Sequence, residues 1–295
     1  MASTVSADLI LAARTGSTSS ALTRFLRRNP TVVLGMGLIL LIALLAILAP
    51  YLHTVDPVTF NPVYRLKPPS ARFWFGTDSF GRVVYSRTMY GGRISLVVGF
   101  SVAVLSTSIG LVIGLVAGYV RTADAIVMRV MDGLMAVPSI LLAIALITLT
   151  KASVQSVLIA ITIPEIPRVV RLVRGVVLTI REQPYIEAAT AIGSGLPKIL
   201  ARHLLPNTLA PLTVLATYIC AAAVLIEAAL GFLGAGTPPE IPSWGNIIAE
   251  GRTYFQIGPW IILFPGLFLA MTVLAVNLVG DGLRDLLDPR FARRM

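Results

Sequence analysis

The sequence predicts an all-α, polytopic membrane protein with about six transmembrane helices. Three observations carry that expectation. Of its 295 residues, 56% are hydrophobic and only 13% charged, against about 25% charged in soluble domains. Several apolar stretches exceed the roughly 20 residues with which a helix crosses a hydrocarbon core of about 30 Å. The Lys and Arg residues behind the net charge of +10 lie in short segments between those stretches. Nucleic-acid binding would need them gathered on one face of a folded domain. Anionic membrane lipid accounts for the balance instead, and no nucleic-acid partner is expected.

The first span is expected from Thr31 to Leu52, preceded by a polar tail over residues 1–30 that ends in Arg24, Arg27 and Arg28. That tail lacks the short basic region, apolar core and cleavage site of a signal peptide, so the span should remain as an anchor. A polar, proline-containing segment over 54–93 is expected outside the membrane. The second span, Ile94 to Val120, carries Gly110, Gly114 and Gly118 at four-residue spacing, a flat stripe for close helix approach. The third runs from about Ala125 to Thr150, with Arg129 and Asp132 one turn apart and able to pair.

The fourth span covers roughly Ala152 to Val170, although Pro164, Glu165 and Pro167 interrupt its second half. Neighbouring helices can satisfy the backbone groups that such prolines free. From Arg168 to Pro206 the chain is polar and basic but helical in character. Span five follows from Thr208 to Leu233 and span six from Trp260 to Gly280, with a charged tail over 286–295. The arginines before span one, and the excess of Lys and Arg in the loops assigned to the same side, put both termini in the cytoplasm. The outer segment from Arg65 to Arg93 runs against that trend. Tyr51, Tyr119, Trp244 and Trp260 fall at span ends, where interfacial aromatic anchors belong. The lone Cys220 lies in an apolar span and serves packing; it can form no intrachain disulfide and no cysteine metal cluster.

One polar loop, near 181–206, has the composition of a docking element. Ala188, Ala189 and Ala191 are small where backbones must approach, and Ile192, Leu196, Ile199 and Leu200 recur at three-to-four-residue spacing. Gly193, Gly195 and Pro197 permit a bend between two short helices. The competing reading is an amphipathic helix on the inner leaflet, with Arg181, Lys198 and Arg202 facing lipid phosphates.

Glu187-Ala188-Ala189, then Gly193 and Leu196, and finally Leu205-Pro206 closely resemble the EAA motif of ABC importer permeases. His203 stands where that motif has isoleucine, a departure common in the peptide-transporter branch. Phe75-Gly76-Thr77-Asp78 through Arg82, Tyr90-Gly91-Gly92-Arg93, Glu227-Ala228-Ala229-Leu230-Gly231, Pro242-Ser243-Trp244-Gly245, and Asn277 through Asp285 are similar to dipeptide and oligopeptide permeases of the C-subunit type. The resemblance covers almost everything after residue 30.

It implies a type I ABC importer permease fold in a bacterial inner membrane, with a five-helix core over 94–285 and a coupling loop. It also implies a second, homologous permease, two ATP-binding cassette subunits seated on the Glu187 to Leu200 region, and an extracytoplasmic substrate-binding protein. Alternating access would import dipeptides or oligopeptides. The chain lacks a Gly-x-x-x-x-Gly-Lys-Ser/Thr phosphate loop. It is therefore not expected to be an enzyme or to hold a cofactor, and ATP and magnesium belong on the partner subunits.

Three further groups are candidates with two readings each. Glu165, with Arg168 three residues on, is a translocation-path residue or half of an ion pair. Glu227 is a gate residue or a structural hydrogen-bond partner. Asp78 and Arg82, with Arg93, form a salt-bridged surface helix or a contact for the binding protein. Other solutes, nickel complexes or glutathione, would suit the same machinery. An ion-driven secondary transporter using Glu165 and Glu227 would leave the Glu187 to Pro206 pattern without a role. His53 and His203 lie too far apart to make a catalytic or metal site.

Overall fold

The computed structural model describes residues 30–287, so the terminal tails expected at 1–30 and 286–295 lie almost wholly outside the described residues. The described elements are helical, apart from one isolated bridge between Thr77 and Val83. Helix α1, Pro30–Ile47, is apolar on every side. It buries Gly35 against Ala275, Leu278 and Val279 and turns Leu34, Leu40, Leu41 and Leu44 outward. A helix that is apolar all round suits a lipid environment. Its last carbonyls are closed by Arg93, which donates from Nε to Ala46 O at 2.7 Å and from Nη2 to Ile47 O at 2.9 Å. A cation at a helix C-terminus also complements the dipole there.

Helix α2, Val84–Tyr119, begins well before the span expected at Ile94. At 36 residues it is about 54 Å long, so its first turns lie beyond a core of about 30 Å. The third expected span is broken into α3, Arg121–Met135, and α4, Ser139–Thr148, which meet at 87°. Pro138 explains the break: it disfavours helical geometry at Val137 and lacks an N–H for the ladder. The pairing expected between Arg129 and Asp132 is replaced by one between helices. Arg171 Nη2 donates to Asp132 Oδ1 at 2.9 Å, and Arg174 grips both oxygens of Asp124, with Nη2 to Oδ2 at 2.7 Å.

Helix α5, Val154–Arg181, starts at a Ser153 cap and continues unbroken through Pro164 and Pro167 to Arg181, past the end expected at Val170. Its partner is the glycine stripe of α2. A Cβ added to Gly110, Gly114 or Gly118 would come within 2.5–2.7 Å of the Cβ of Val169, Val173 or Val177 respectively. The two four-residue rows therefore interlock glycine to valine, as small residues allow in membranes, and Arg181 Nη1 donates to Gly118 O at 3.1 Å at their end. Gly114→Ala is expected to cost about 1–3 kcal/mol by overpacking. Thermal unfolding in detergent should show the loss, and Gly114→Ala with Val173→Ala should recover part of it.

Helix α6, Pro184–Ala191, lies in the loop that follows. The short α7, Leu196–Ile199, passes through a π turn at Leu200–Leu204 into α8, Leu205–Phe232, as one 37-residue helix. The second of the two short helices expected in the loop is thus the N-terminal end of span five. The π turn lies where the ring of Pro206 would otherwise strike the carbonyl four residues back.

Helix α9, Trp244–Gly251, wedges between α2 and α8. Gly245 meets the Ala228 backbone so closely that a Cβ would sit 2.6 Å from its Cα. Trp244 is wholly buried and donates from Nε1 to Thr88 O at 3.0 Å, so it anchors this wedge and not the membrane surface. Helix α10, Trp260–Leu287, packs on α1 and α8. Four helices, α1, α2, the joined α7–α8 and α10, are long and apolar enough to cross a membrane, and the bent α3–α4 pair is a fifth. Helix α5, 28 residues long but charged, is not among them, so four to five apolar spans stand against the roughly six expected.

Candidate functional site

The loop from Arg181 to Pro206 is built to expose one surface while holding another. Gln183 is extended and Pro184 supplies the preset first-turn geometry of α6. Glu187 lies in that first turn, where a negative charge is favoured by the helix dipole. After Ala191 the chain closes in a Schellman turn, with Gly193 N–H donating to Thr190 O at 2.9 Å and Ser194 N–H to Ala189 O at 3.0 Å. Gly193 takes φ +84°, which explains a glycine at that place in the motif.

Ile186 and Ile199 are buried in the main apolar core, with Leu204 beneath them, and they tie the loop to the bundle. Of the four apolar residues expected on the docking side, Ile192 and Leu196 are exposed, Ile192 with 85% of its surface, whereas Ile199 is buried in the chain's own core and Leu200 is half-buried. Glu187 and Ala188 are exposed as well, as is Pro206, while Ala189 and Leu205 are half-buried. His203 lies beside Tyr185, ring centroids 6.1 Å apart. Glu187 also borders an open hollow of about 670 Å³ shared with Tyr119, Arg121 and Arg181. The motif residues thus lie together on an exposed ledge, apolar on one edge and charged on the other.

At the opposite end, Asp78 and Arg82 are not at the surface. Asp78 is fully buried and Arg82 nearly so. Asp78 Oδ1 accepts from the backbone N–H of Phe80 at 2.8 Å and of Arg82 at 2.9 Å, while Oδ2 accepts from Arg82 Nε at 2.7 Å and Arg87 Nη1 at 2.9 Å. Glu250 on α9 closes the group, bonded by Arg82 and by both terminal nitrogens of Arg87. Two arginines and two carboxylates cancel in charge and fasten the segment before α2, and α2 itself, to α9. These side chains lie beneath the surface at that end and do not themselves present a contact. Gly81, at φ +74°, lets the turn press on Asn61 O, where a side chain has no room.

Glu227 is enclosed. Its Oε2 accepts from Ser95 Oγ at 2.9 Å, joining α8 to α2, and Oε1 has no partner among the described residues. With no exposed surface it opens on no path in this structure, and the hydrogen-bonding reading is the one that fits. Glu165 is buried too, with Oε2 3.4 Å from Arg168 Nη1, within ion-pair reach but not hydrogen-bonded. Arg168 lies over the ring of Tyr218, 5.2 Å from its centroid. Sequence reasoning missed Arg87, Glu250 and Tyr218: Glu250 meets Arg87, and Tyr218 meets Arg168, only across elements far apart in the chain, and Arg87, although close to Asp78 in sequence, belongs to no local pattern that marks it.

A bundle of spanning helices with a helical ledge projecting from one end and no strand among the described residues is the build of a transporter's membrane subunit. The chain belongs to the family of binding-protein-dependent transport system inner membrane components, whose pattern it matches over residues 110–293. Residues 20–69 match the N-terminal transmembrane domain of oligopeptide transport permease C. It is 55% identical over 271 residues to the probable peptide ABC transporter permease protein y4tQ of Sinorhizobium fredii, covering 92% of this chain and 93% of that one. It is 44% identical to the dipeptide transport system permease protein DppC of Alkalihalophilus pseudofirmus (90% and 88% covered). To the glutathione transport system permease protein GsiD of Pectobacterium atrosepticum it is 41% identical (90% and 89%). Among solved structures, the inward-facing MetNI methionine ABC transporter shares the fold, with TM-score 0.54 and 24% identity over 67% of this chain and 94% of that one.

Proposed function

We propose that this chain is a membrane-spanning subunit of an ATP-driven importer of dipeptides or oligopeptides. The observation that carries the reading is the ledge of α6 and α7. Its buried face is keyed into the core by Ile186 and Ile199, while Glu187, Ile192 and Leu196 stand free. A rigidly mounted helix with an exposed apolar edge is a helix-in-groove ligand. An ATPase subunit that receives it passes its own closure to α5 and α8, which flank the loop. A second permease completes the path, and a substrate-binding protein delivers solute at the outer end, above the buried Asp78 and Arg82. ATP and magnesium sit on the ATPases, and both termini of this chain face the cytoplasm with them.

The peptide assignment draws on relatives named for peptides and dipeptides. Cross-linking tests the docking. With Cys220 replaced by alanine, Ile192→Cys is expected to join to an ATPase subunit co-expressed with the chain, whereas Leu41→Cys on the lipid face should not. A lack of product at Ile192, or equal yields at the two positions, would remove the docking role.

A further inference from the structure

Helix α1 packs mainly on α10 and meets α2 where a Cβ added to Gly92 would come within 3.4 Å of Ala46 Cβ. Beside that meeting point a groove opens between α1 and α2. Its mouth, about 460 Å³, is lined by Ala43, Ala46, Arg93 and Leu96, with the exposed Val97 and Phe100 on its rim. A deeper part of about 410 Å³ shares Ala43, Leu96 and Phe100 and continues to Thr107, Cys220 and Val279.

The two ends of α1 fix the depth of this groove. Gly282 lies in the charged end of α10, between Asp281 and Arg284, and a Cβ there would strike Val32. That end of α1 therefore lies at one membrane surface. The 18 residues of α1 rise about 27 Å, so Ile47 reaches the other surface of a core of about 30 Å. Arg93, bonded to the carbonyls of Ala46 and Ile47, stands at headgroup level there, at the end of the bundle opposite the α6 ledge. Val279 at the floor of the groove touches the level of Gly35. At 1.5 Å per residue that is about 17 Å from Ala46, the depth of one leaflet of such a core.

Arg93 spends only part of its donor set on α1. Nε and one N–H of Nη2 reach the two carbonyls, which leaves Nη1 and the second N–H of Nη2 as an end-on fork. Among the described residues no hydrogen bond and no ion pair uses that fork, and the ring of Tyr90 lies 4.8 Å from the guanidinium and steadies its plane. Two parallel N–H groups match two oxygens of a phosphate. The groove below is apolar, so it excludes water and suits hydrocarbon.

We propose that the groove between α1 and α2 is a phospholipid site: the fork of Arg93 binds the lipid phosphate, and one acyl chain runs down past Ala43 and Phe100 toward Val279. The bound chain fills the space that α1 leaves on α2 and fixes the first helix against the core. The proposal needs only that the chain spans a membrane and is independent of the solute carried.

Native mass spectrometry of the whole transporter, purified in detergent and titrated with dioleoyl phosphatidylglycerol or with dioleoylglycerol, tests it. The two probes share their chains and differ in the phosphate. Wild type is expected to hold the phospholipid at least about tenfold more tightly, as two charge-assisted hydrogen bonds predict. Arg93→Gln should bring the two probes to nearly equal affinity. Ala43→Phe fills the groove while leaving Arg93 and its carbonyl bonds in place, so it should weaken both probes and remove one retained lipid per complex; this variant decides the matter if Arg93→Gln does not assemble. A phospholipid preference unchanged in Arg93→Gln, or retention unchanged in Ala43→Phe, overturns the proposal. A wild-type complex that retains no lipid, together with loss of assembly in Ala43→Phe, overturns it too and assigns the groove to the second permease.

Discussion

Glu187→Arg in the assembled transporter is expected to lower peptide-stimulated ATP hydrolysis by at least about thirtyfold. Losing one partner of a charge pair buried on docking costs about 2–5 kcal/mol, and reversal adds repulsion to that loss. The substitution also puts a cation on the first turn of α6, where the dipole disfavours it. Fold stability should barely change, since the Glu187 side chain is exposed and accepts no hydrogen bond among the described residues. Glu187→Gln should fall between the two, because it keeps the shape of the side chain and loses only its charge. Hydrolysis that still responds to peptide-loaded binding protein in the arginine variant would mean that the ledge does not carry the coupling.

Arg87→Met should destabilise the chain by about 3–5 kcal/mol, the cost of leaving a buried charge without its counter-ion. Arg87 is 1% exposed and bonds Asp78 and both oxygens of Glu250. Its removal strips Asp78 Oδ2 of one donor and leaves Glu250 with Arg82 alone. The melting temperature in detergent is the measurement, and Arg87→Met with Glu250→Gln should regain part of the loss as the second charge goes. A melting temperature equal to wild type would show that the cluster adds no stability. Coupling should be less affected than stability, because the cluster lies at the opposite end of the bundle from Glu187.

The spans whose residues are apolar all round, α1, α2, α8 and α10, were legible in the sequence because composition alone sets them apart. The glycine stripe was legible as a contact but not in its partner, since Val169, Val173 and Val177 are ordinary apolar residues until α5 is laid against α2. The bend at Pro138 and the unbroken helix through Pro164 and Pro167 show the limit of reading prolines locally. In α5 the helix packed closely on α2 continues through both prolines, whereas the chain bends by 87° at Pro138 between α3 and α4. The motif around Glu187 was visible through fixed spacing. Which of its apolar residues anchor and which project depends on the α6 turn and on the joining of α7 to α8, and only tertiary structure sets those. Asp78 and Arg82 read as surface groups for the same reason: the residues that bury them, Arg87 and Glu250, lie on other elements.

The most direct test of the account is peptide uptake by the complete transporter in sealed proteoliposomes, with ATP supplied on the side of the ATPase subunits or with an ion gradient alone. ATP-dependent accumulation of dialanine that requires the binding protein and gains nothing from the gradient is the predicted result. Accumulation driven by the gradient without ATP or ATPase subunits would contradict it.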